Sequence, residues 1–307
     1  MKFNSLETID CPICMSKEFK IIREGSIKTN TNYEKKYDLF NSSSSHKLTQ
    51  QLVKCKKCEL IYVNPRLSNE IINKGYSYNK DEKFILQNQE RIQTFKINLK
   101  KIIKIIGFNK KKISILDVGS AGGAFLLSIN DPLMECDGIE PNNWLVEKAK
   151  KKFPNLNIYS TTLEKFDKHK KYDLITYWDV FEHLTDINSE IIHINKFLKN
   201  NSFLLLNIPD YGSSFRKLLG FKWPFFLDVH LYYFEKKTIY LFMKNNGFNL
   251  LQVIKHKQIL KLGYIMERVT NVFPKLKFLE TIIKFLNFHN IKIKYNIGQN
   301  IYIFKKS

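Results

Sequence analysis

From Ile113 onward the sequence alternates short apolar, β-branched runs with helical stretches, and that alternation restricts the folds open to it. Ile113–Val118 (ISILDV) ends at Gly119, and a helical pattern follows from about Ala124. Cys136–Glu140 (CDGIE) precedes a helix over Asn143–Lys152. Asn157–Ser160 and Tyr172–Tyr177 are the next strands, and a helix over about Asn188–Leu198 leads into Ser202–Ile208. Apolar strands separated by helices predict a mostly parallel sheet covered on both faces, an α/β doubly wound architecture. Thr238–Asn246 reads as a further helix closed by Gly247, with Leu250–Ile254 and Ile301–Phe304 as closing strands.

The segment before this alternation has a different character. Four of its residues form two pairs, Cys11-Pro-Ile-Cys14 and Cys55-Lys-Lys-Cys58. Two such knuckles are the ligand spacing of a closed, four-thiolate structural zinc site, which leaves no open position for catalysis. A disulfide framework fits poorly, because MKFNSLETID has no apolar signal region. A redox motif would need one pair at a helix start in a βαβ setting. Ser42–Ser45 reads as a loop tip between the knuckles, and Cys136 as a small core hydrophobe. Residues 91–106 form an amphipathic helix with Ile92, Phe95, Leu99, Ile102, Ile103 and Ile106 on one face. The expected organisation is a zinc-ribbon-like segment over 1–65, a helical linker over 66–112 and an α/β domain over 113–307, with a basic helical insertion at about 256–296.

Charge separates the parts further. The 50 basic and 29 acidic side chains divide as 23 and 11 over residues 1–113, 16 and 16 over 114–248, and 11 and 2 over 249–307. The flanks are basic and the middle is neutral. Only five of the basic residues are Arg, the side chain that reads bases and phosphates bidentately, which disfavours a nucleic-acid partner. No apolar run reaches the ~18–20 residues of a membrane span. A cytoplasmic protein is expected. Residues 275–288 (KLKFLETIIKFLNF) are apolar on a broad face with lysines around it, which suits packing on the chain's own domain or on a second subunit, the commoner case, or else peripheral contact with the inner face of an anionic membrane.

The stretch Asp117-Val-Gly-Ser-Ala-Gly-Gly123 follows a strand and opens a helix, so glycine lets the chain turn sharply and approach a ligand. Glu140 closes the next strand, 21 residues after Gly119, where an acid can bond the hydroxyls of a ribose. The loop is neither G-x-G-x-x-G nor a P-loop. A turn needed only for packing is the bland alternative.

On these residues the chain resembles the class I S-adenosylmethionine-dependent methyltransferases. The likeness runs in register through CPIC, CKKC-x-L-x-YVNPR, ILDVGSAGGAFL, DGIEP, YDLITYWDVFEHLTD, SFLLLNIPD, SSFRKLLGFKWPFFLDVHLYYF and NNGF. A zinc-ribbon segment ahead of this core resembles enzymes of sugar and surface-polysaccharide biosynthesis. The resemblance implies a Rossmann-like seven-stranded sheet with an antiparallel seventh strand at Ile301–Phe304. It implies that Asp117, Gly119, Ala121 and Gly123 face the methionine part of the cofactor. Glu140 would hold the ribose, Thr162 and Leu163 would flank the adenine, and Trp178 would line the methyl-donor pocket. Ala121 departs from the pattern, standing where the family usually has Gly.

Methyl transfer from a sulfonium is an in-line displacement, so the protein chiefly aligns the nucleophile and excludes water. A hydroxyl acceptor also needs a base, and neutral His suits that task. His230 in DVHLYYF is the favoured base and His183 in DVFEHL the second. The Asp179, Glu182, His183 cluster resembles a divalent-ion cluster of ubiquinone-type O-methyltransferases. The reading preferred here is a helix start, with acids at the positive end of the dipole. The expected substrate is a small molecule or a glycan, lipid-linked if the basic C-terminal region meets a membrane. An RNA methyltransferase and a non-catalytic zinc and Rossmann-like binding protein are the alternatives.

Overall fold

The computed structural model describes residues 6–26, 46–78, 80, 88–108 and 112–307; the serine run at 42–45 lies outside them. The chain begins with β1 (Leu6–Glu7), β2 (Phe19–Arg23), β3 (Leu52–Cys55), β4 (Ile61–Val63) and β5 (Arg66–Leu67). Two helices follow, α1 (Asn69–Tyr78) and α2 (Asn88–Ile106). The alternating part is β6 (Ile113–Val118), α3 (Ala124–Ser128), β7 (Met134–Glu140), α4 (Asn143–Lys152), β8 (Ile158–Ser160), β9 (Tyr172–Trp178), α5 (Ile187–Phe197) and β10 (Leu198–Pro209). Then come α6 (Ser214–Leu219), β11 (Tyr232–Tyr233), α7 (Lys236–Asn245), β12 (Phe248–Lys255), β13 (Gln258–Lys261), α8 (Leu262–Val272), α9 (Lys277–Phe285), β14 (Lys292–Tyr295) and β15 (Gln299–Lys306).

Seven strands form one sheet in the order β12-β15-β10-β9-β6-β7-β8. The pairs β10–β9, β9–β6, β6–β7 and β7–β8 are parallel, while β15 runs against both of its neighbours. This is the doubly wound sheet with an antiparallel seventh strand that the sequence predicts. Every residue of ISILDV is buried, as a central strand covered on both faces requires. Its side chains divide with period two: Leu116 and Val118 enter one apolar cluster, Ile113 and Ile115 the other. Phe95, Leu99, Ile102 and Ile106 of α2 complete the second cluster, so the helix's apolar face lies on the sheet. Cys136 is half-buried beside the same cluster.

The register sets Asp117 level with Gly138 and Thr176, and Val118 level with Ile139 and Tyr177. The carboxyl ends of β6, β7 and β9 therefore open side by side. The crevice beyond such strand ends is where doubly wound sheets hold ligands.

The N-terminal segment is joined to this body. Its four-stranded sheet has the order β11-β4-β3-β2, and β11 comes from residues 232–233. Cys11, Val53, Leu60 and Tyr62 share one apolar cluster with Leu116, Tyr177 and Leu206 of the large sheet. Asp228 fastens the join. Its Oδ1 accepts from Thr49 N at 2.6 Å and Gln50 N at 3.3 Å, and Thr49 Oγ1 donates to its Oδ2 at 2.9 Å. Bonds to an ionised group are worth about 1.5–3 kcal/mol. Asp228→Ala should therefore cost about 2–3 kcal/mol, read as a lower urea midpoint at unchanged slope.

Candidate functional site

The glycine loop leaves β6 with three residues in the left-handed region: Gly119 at φ 74°, Ala121 at 46° and Gly123 at 73°. A Cβ on Gly119 would lie 2.5 Å from Cγ2 of Val180, so no larger residue fits there. Ala121 adopts a backbone that suits glycine, at a cost of about 1–2 kcal/mol for an L-residue. What holds it is Glu140. Oε2 of Glu140 accepts the Ala121 amide at 2.9 Å, and Oε1 accepts the Asn142 amide at 2.9 Å. The carboxylate thus fixes the loop from below while sitting at the end of β7.

Glu140 is buried, and loss of water raises its pKa to about 7, against the pull of the two amides. Asp117 is also raised to about 7 by burial, although Thr176 donates to it at 2.7 Å. Asp117, Gly119 and Trp178 line one cleft together with Arg91, a residue of α2. Trp178 packs edge-on against Phe95 and lies 5.7 Å, ring to ring, from His256. Burial and then the charge of Arg91 push His256 down to about 3, so it is neutral. Thr162 is exposed just beyond β8, while Leu163 is buried in the main core cluster.

On the other side of the loop stand the two histidines. Their rings meet edge to face with centroids 4.7 Å apart. His230 is buried, and its Nδ1 lies 2.7 Å from the carbonyl of Phe225. That carbonyl can only accept, so Nδ1 carries the proton and Nε2 keeps a free lone pair. Burial lowers His230 to about 4. Burial and the neighbouring His230 hold His183 well below its usual value. Nδ1 of His183 is 2.6 Å from the hydroxyl of Tyr76, on α1. The backbone carbonyl of Tyr76 accepts from Asn142, which joins this cluster to the Glu140 corner.

The Asp179, Glu182, His183 trio does not sit at the start of an α-helix. Helix α5 begins at Ile187, and Asp186 caps it through the amides of Asn188 and Ser189. Asp179, at φ 57°, is turned away to accept from Asn207 at 2.6 Å and Gln299 at 2.5 Å. Glu182 lies in a one-turn 3-10 helix, Phe181–His183, and both of its oxygens are buried without a hydrogen-bond partner. Burial, then Asp179, raises its pKa well above the carboxylate range. One ligand atom each of Glu182, His183 and His230 falls within 4.8 Å of the others. The dipole reading fails because the helix starts later and has its own cap.

The aromatic residues at 221–234, after β10, belong mostly to the core. Trp223, Phe226, Tyr232, Tyr233 and Phe234 are buried, Trp223 donating to the carbonyl of Ile297 at 3.0 Å; only Phe221 is largely exposed. Arg91, Tyr76 and His256 were missed by sequence reasoning. An Arg on the buried side of an amphipathic helix was the one signal available for the first.

The four cysteines form a second centre. Both knuckles make the same turn: Met15 N donates to Cys11 O at 2.8 Å and Glu59 N to Cys55 O at 3.1 Å, with φ 56° and 64° at the two donors. All four sulfurs lie within 4.8 Å of one another, Cys11 and Cys58 at 3.4 Å and Cys14 and Cys55 at 3.5 Å. A tetrahedral ion with bonds of about 2.3 Å sets its sulfurs about 3.8 Å apart, whereas a disulfide needs about 2.05 Å. The donor set fits one zinc ion.

A family profile described as "Methyltransferase domain" matches residues 89–253, more than half of the chain. A ubiquinone biosynthesis O-methyltransferase of Rickettsia akari (strain Hartford) is 24% identical over 134 residues, 42% of this chain and 53% of that protein. Its counterpart in Rickettsia conorii (strain ATCC VR-613 / Malish 7) is 25% identical over 118 residues, 37% and 41%. The chain spans about half the length of these curated relatives. Among solved structures, the plantazolicin methyltransferase BpumL in complex with SAH has a TM-score of 0.49 at 15% identity, covering 76% of this chain and 93% of that one. The magnesium protoporphyrin IX methyltransferase of Synechocystis PCC 6803 with bound SAH has 0.49 at 13%, covering 78% and 100%.

Two substitutions separate the loop's geometry from its composition. Gly119→Ala should destabilise the protein by about 2–4 kcal/mol, from overpacking against Val180 plus a left-handed alanine. Ala121→Gly should stay within about 1 kcal/mol of the parent. Thermal unfolding of both variants measures this.

Proposed function

The chain belongs to the methyltransferase-domain family, and from that premise we propose that it transfers the methyl group of S-adenosylmethionine to a hydroxyl of a sugar or glycan. The observation that carries the cofactor reading is Glu140, buried at the end of β7 with each oxygen bonded to one amide and a lone pair left on each. That is a seat for a ribose diol. Asp117, Gly119, Ala121 and Gly123 would face the methionine end, and Arg91 would pair with its carboxylate. Thr162 and Leu163 would flank the adenine, and Trp178 the methyl donor.

In this reading the acceptor oxygen attacks the methyl carbon, the carbon–sulfur bond breaks, and S-adenosylhomocysteine leaves. Nε2 of His230 takes the hydroxyl proton; His183, steadied by Tyr76, packs against it. A second reading of the same cluster is favoured by the unpartnered carboxylate of Glu182. A divalent ion on Glu182, His183 and His230 would acidify a coordinated hydroxyl, and His230 would then be a ligand instead of the base. Dependence of the folded, zinc-replete enzyme on added Mg2+ or Mn2+ separates the two.

The sugar acceptor is supported by the resemblance to polysaccharide-biosynthesis enzymes and by the neutral charge of residues 114–248. A strongly basic cleft would suit RNA better. Zinc on Cys11, Cys14, Cys55 and Cys58 would serve structure alone, and the basic C-terminal region would provide a membrane contact. Incubating the protein with labelled S-adenosylmethionine and a panel of nucleotide-linked and lipid-linked sugars tests the acceptor class.

Ribose hydroxyls donate to the ionised carboxylate, so binding is favoured with Glu140 deprotonated. Since Glu140 titrates at about 7 in the free protein, affinity should weaken as pH falls through 7, approaching tenfold per unit, and level off above it. Calorimetry between pH 5.5 and 8.5 measures this, and Glu140→Gln should reduce the slope to what Asp117, also raised to about 7, contributes. Removing zinc should lower the unfolding temperature and free four thiols to a colorimetric reagent; unchanged stability in a strong chelator would contradict the zinc assignment.

A further inference from the structure

We propose that the chain docks on an anionic lipid bilayer through an apolar, lysine-fringed surface at the sheet edge where the cofactor cleft opens, and that its acceptor is presented from that bilayer. The identity of the acceptor rests on the methyltransferase reading; the surface does not.

Helix α9 packs on α8, and Leu279 and Ile283 are half-buried. Phe278, Ile282 and Phe285, spaced four and three apart, share a face about a third of a turn round the helix and are exposed, Phe285 by 88%. Leu286, Phe288 and Ile291 continue the exposed apolar strip. No residue of α9 is buried. A helix with apolar residues on both sides and a partner on one has a face left to cover. A second exposed cluster lies on α6 and the turn after it: Phe215, Leu218 at 81% and Phe221. The two segments are neighbours, since Nζ of Lys222 stands 5.4 Å from the ring centroid of Phe273.

Both segments leave the same edge of the sheet as the glycine loop. The first follows the carboxyl end of β10. The second, residues 256–298, joins the carboxyl end of β12 to the start of antiparallel β15. Strands β13 and β14 also seat this insertion against α2 around Arg91. Ile259 N donates to Thr94 at 2.8 Å, Asn98 to the carbonyl of Lys257 at 3.0 Å, and Lys292 to Gln93 at 3.3 Å. The exposed apolar residues therefore belong to segments at the sheet edge where the cleft opens, one of them packed on the helix that carries Arg91.

Charge identifies the occupant. Residues 256–296 carry eight basic and two acidic groups, and residues 213–223 three basic and none acidic, which gives +6 and +3. A second copy of the chain would set this charge against itself. An anionic headgroup layer would receive the lysines while the phenyl, leucyl and isoleucyl groups enter the acyl boundary. A nucleic acid would leave Leu218, Ile282 and Leu286 in water. Among the described residues no helix is long and apolar enough to cross a membrane, so the contact is peripheral.

The test floats the full zinc-loaded chain with vesicles of phosphatidylcholine mixed with phosphatidylglycerol, and with vesicles of phosphatidylcholine alone. Binding to the mixed vesicles is expected, weakened by salt, with little binding to the neutral ones. The double variant Phe278→Glu, Phe285→Glu should bind at least about tenfold less while keeping its calorimetric affinity for S-adenosylmethionine, which shows that it folds. The proposal is overturned if the parent ignores the mixed vesicles, if the double variant binds them as well as the parent, or if light scattering finds a parent dimer that the variant splits. Lack of affinity for S-adenosylmethionine in the parent would overturn the methyltransferase reading and leave the vesicle result to be judged alone.

Discussion

Two backbone amides on one buried carboxylate hold the centre of this molecule together. Glu140 ends a strand whose register is fixed by six paired positions with β6, and it reaches under the neighbouring loop to bond Ala121. Without that bond Ala121 would have little reason to keep a left-handed backbone, and the loop would lose the shape that brings its amides to the crevice. The same group keeps lone pairs for a ligand. In the proposed reading, loop geometry and ligand recognition depend on one side chain.

The wall opposite the loop is assembled from both ends of the chain. Strand β11 completes the cysteine-bearing sheet, and Asp228 is bonded by Thr49 and Gln50, residues almost 180 positions earlier. Arg66 adds a second tie, bonding Glu7 at 2.7 Å and the hydroxyl of Tyr232 at 3.1 Å. His230 lies between these ties. Its position relative to His183 is therefore set by the N-terminal sheet, which gives the four-cysteine centre a consequence for the site although it stands apart from the cleft. Neutrality of the two imidazoles follows from that enclosure, because burial is the leading cause of both lowered pKa values.

Much of the fold was legible because its signals are local. ISILDV reads as a covered strand from its own residues, and the Gly119 turn with Glu140 reads from spacing alone. The helix over 143–152 is bounded by its cap at Asn142 and its closing lysines. What escaped depends on contacts between distant positions. Tyr76 lies in a polar helix and acquires its role only when folding places it beside His183, 107 residues away. Arg91 stands on a helix whose apolar stripe was visible, but the cleft it lines forms only when that helix packs on the sheet. The dipole reading of Glu182 failed for a local reason: Asp186, four residues on, was the better cap. The merging of the N-terminal segment with β11 could not be read either, since a two-residue strand leaves no periodic trace.

The central claim is that the loop and Glu140 together receive a sulfonium nucleoside. A crystal structure of the chain with S-adenosylhomocysteine tests it most directly. The account predicts both ribose hydroxyls within about 2.6–3.2 Å of the Glu140 oxygens, with the amino-acid end lying beside Gly119 and Arg91. A nucleoside bound elsewhere, or a Glu140 carboxylate directed away from the ribose, would contradict it.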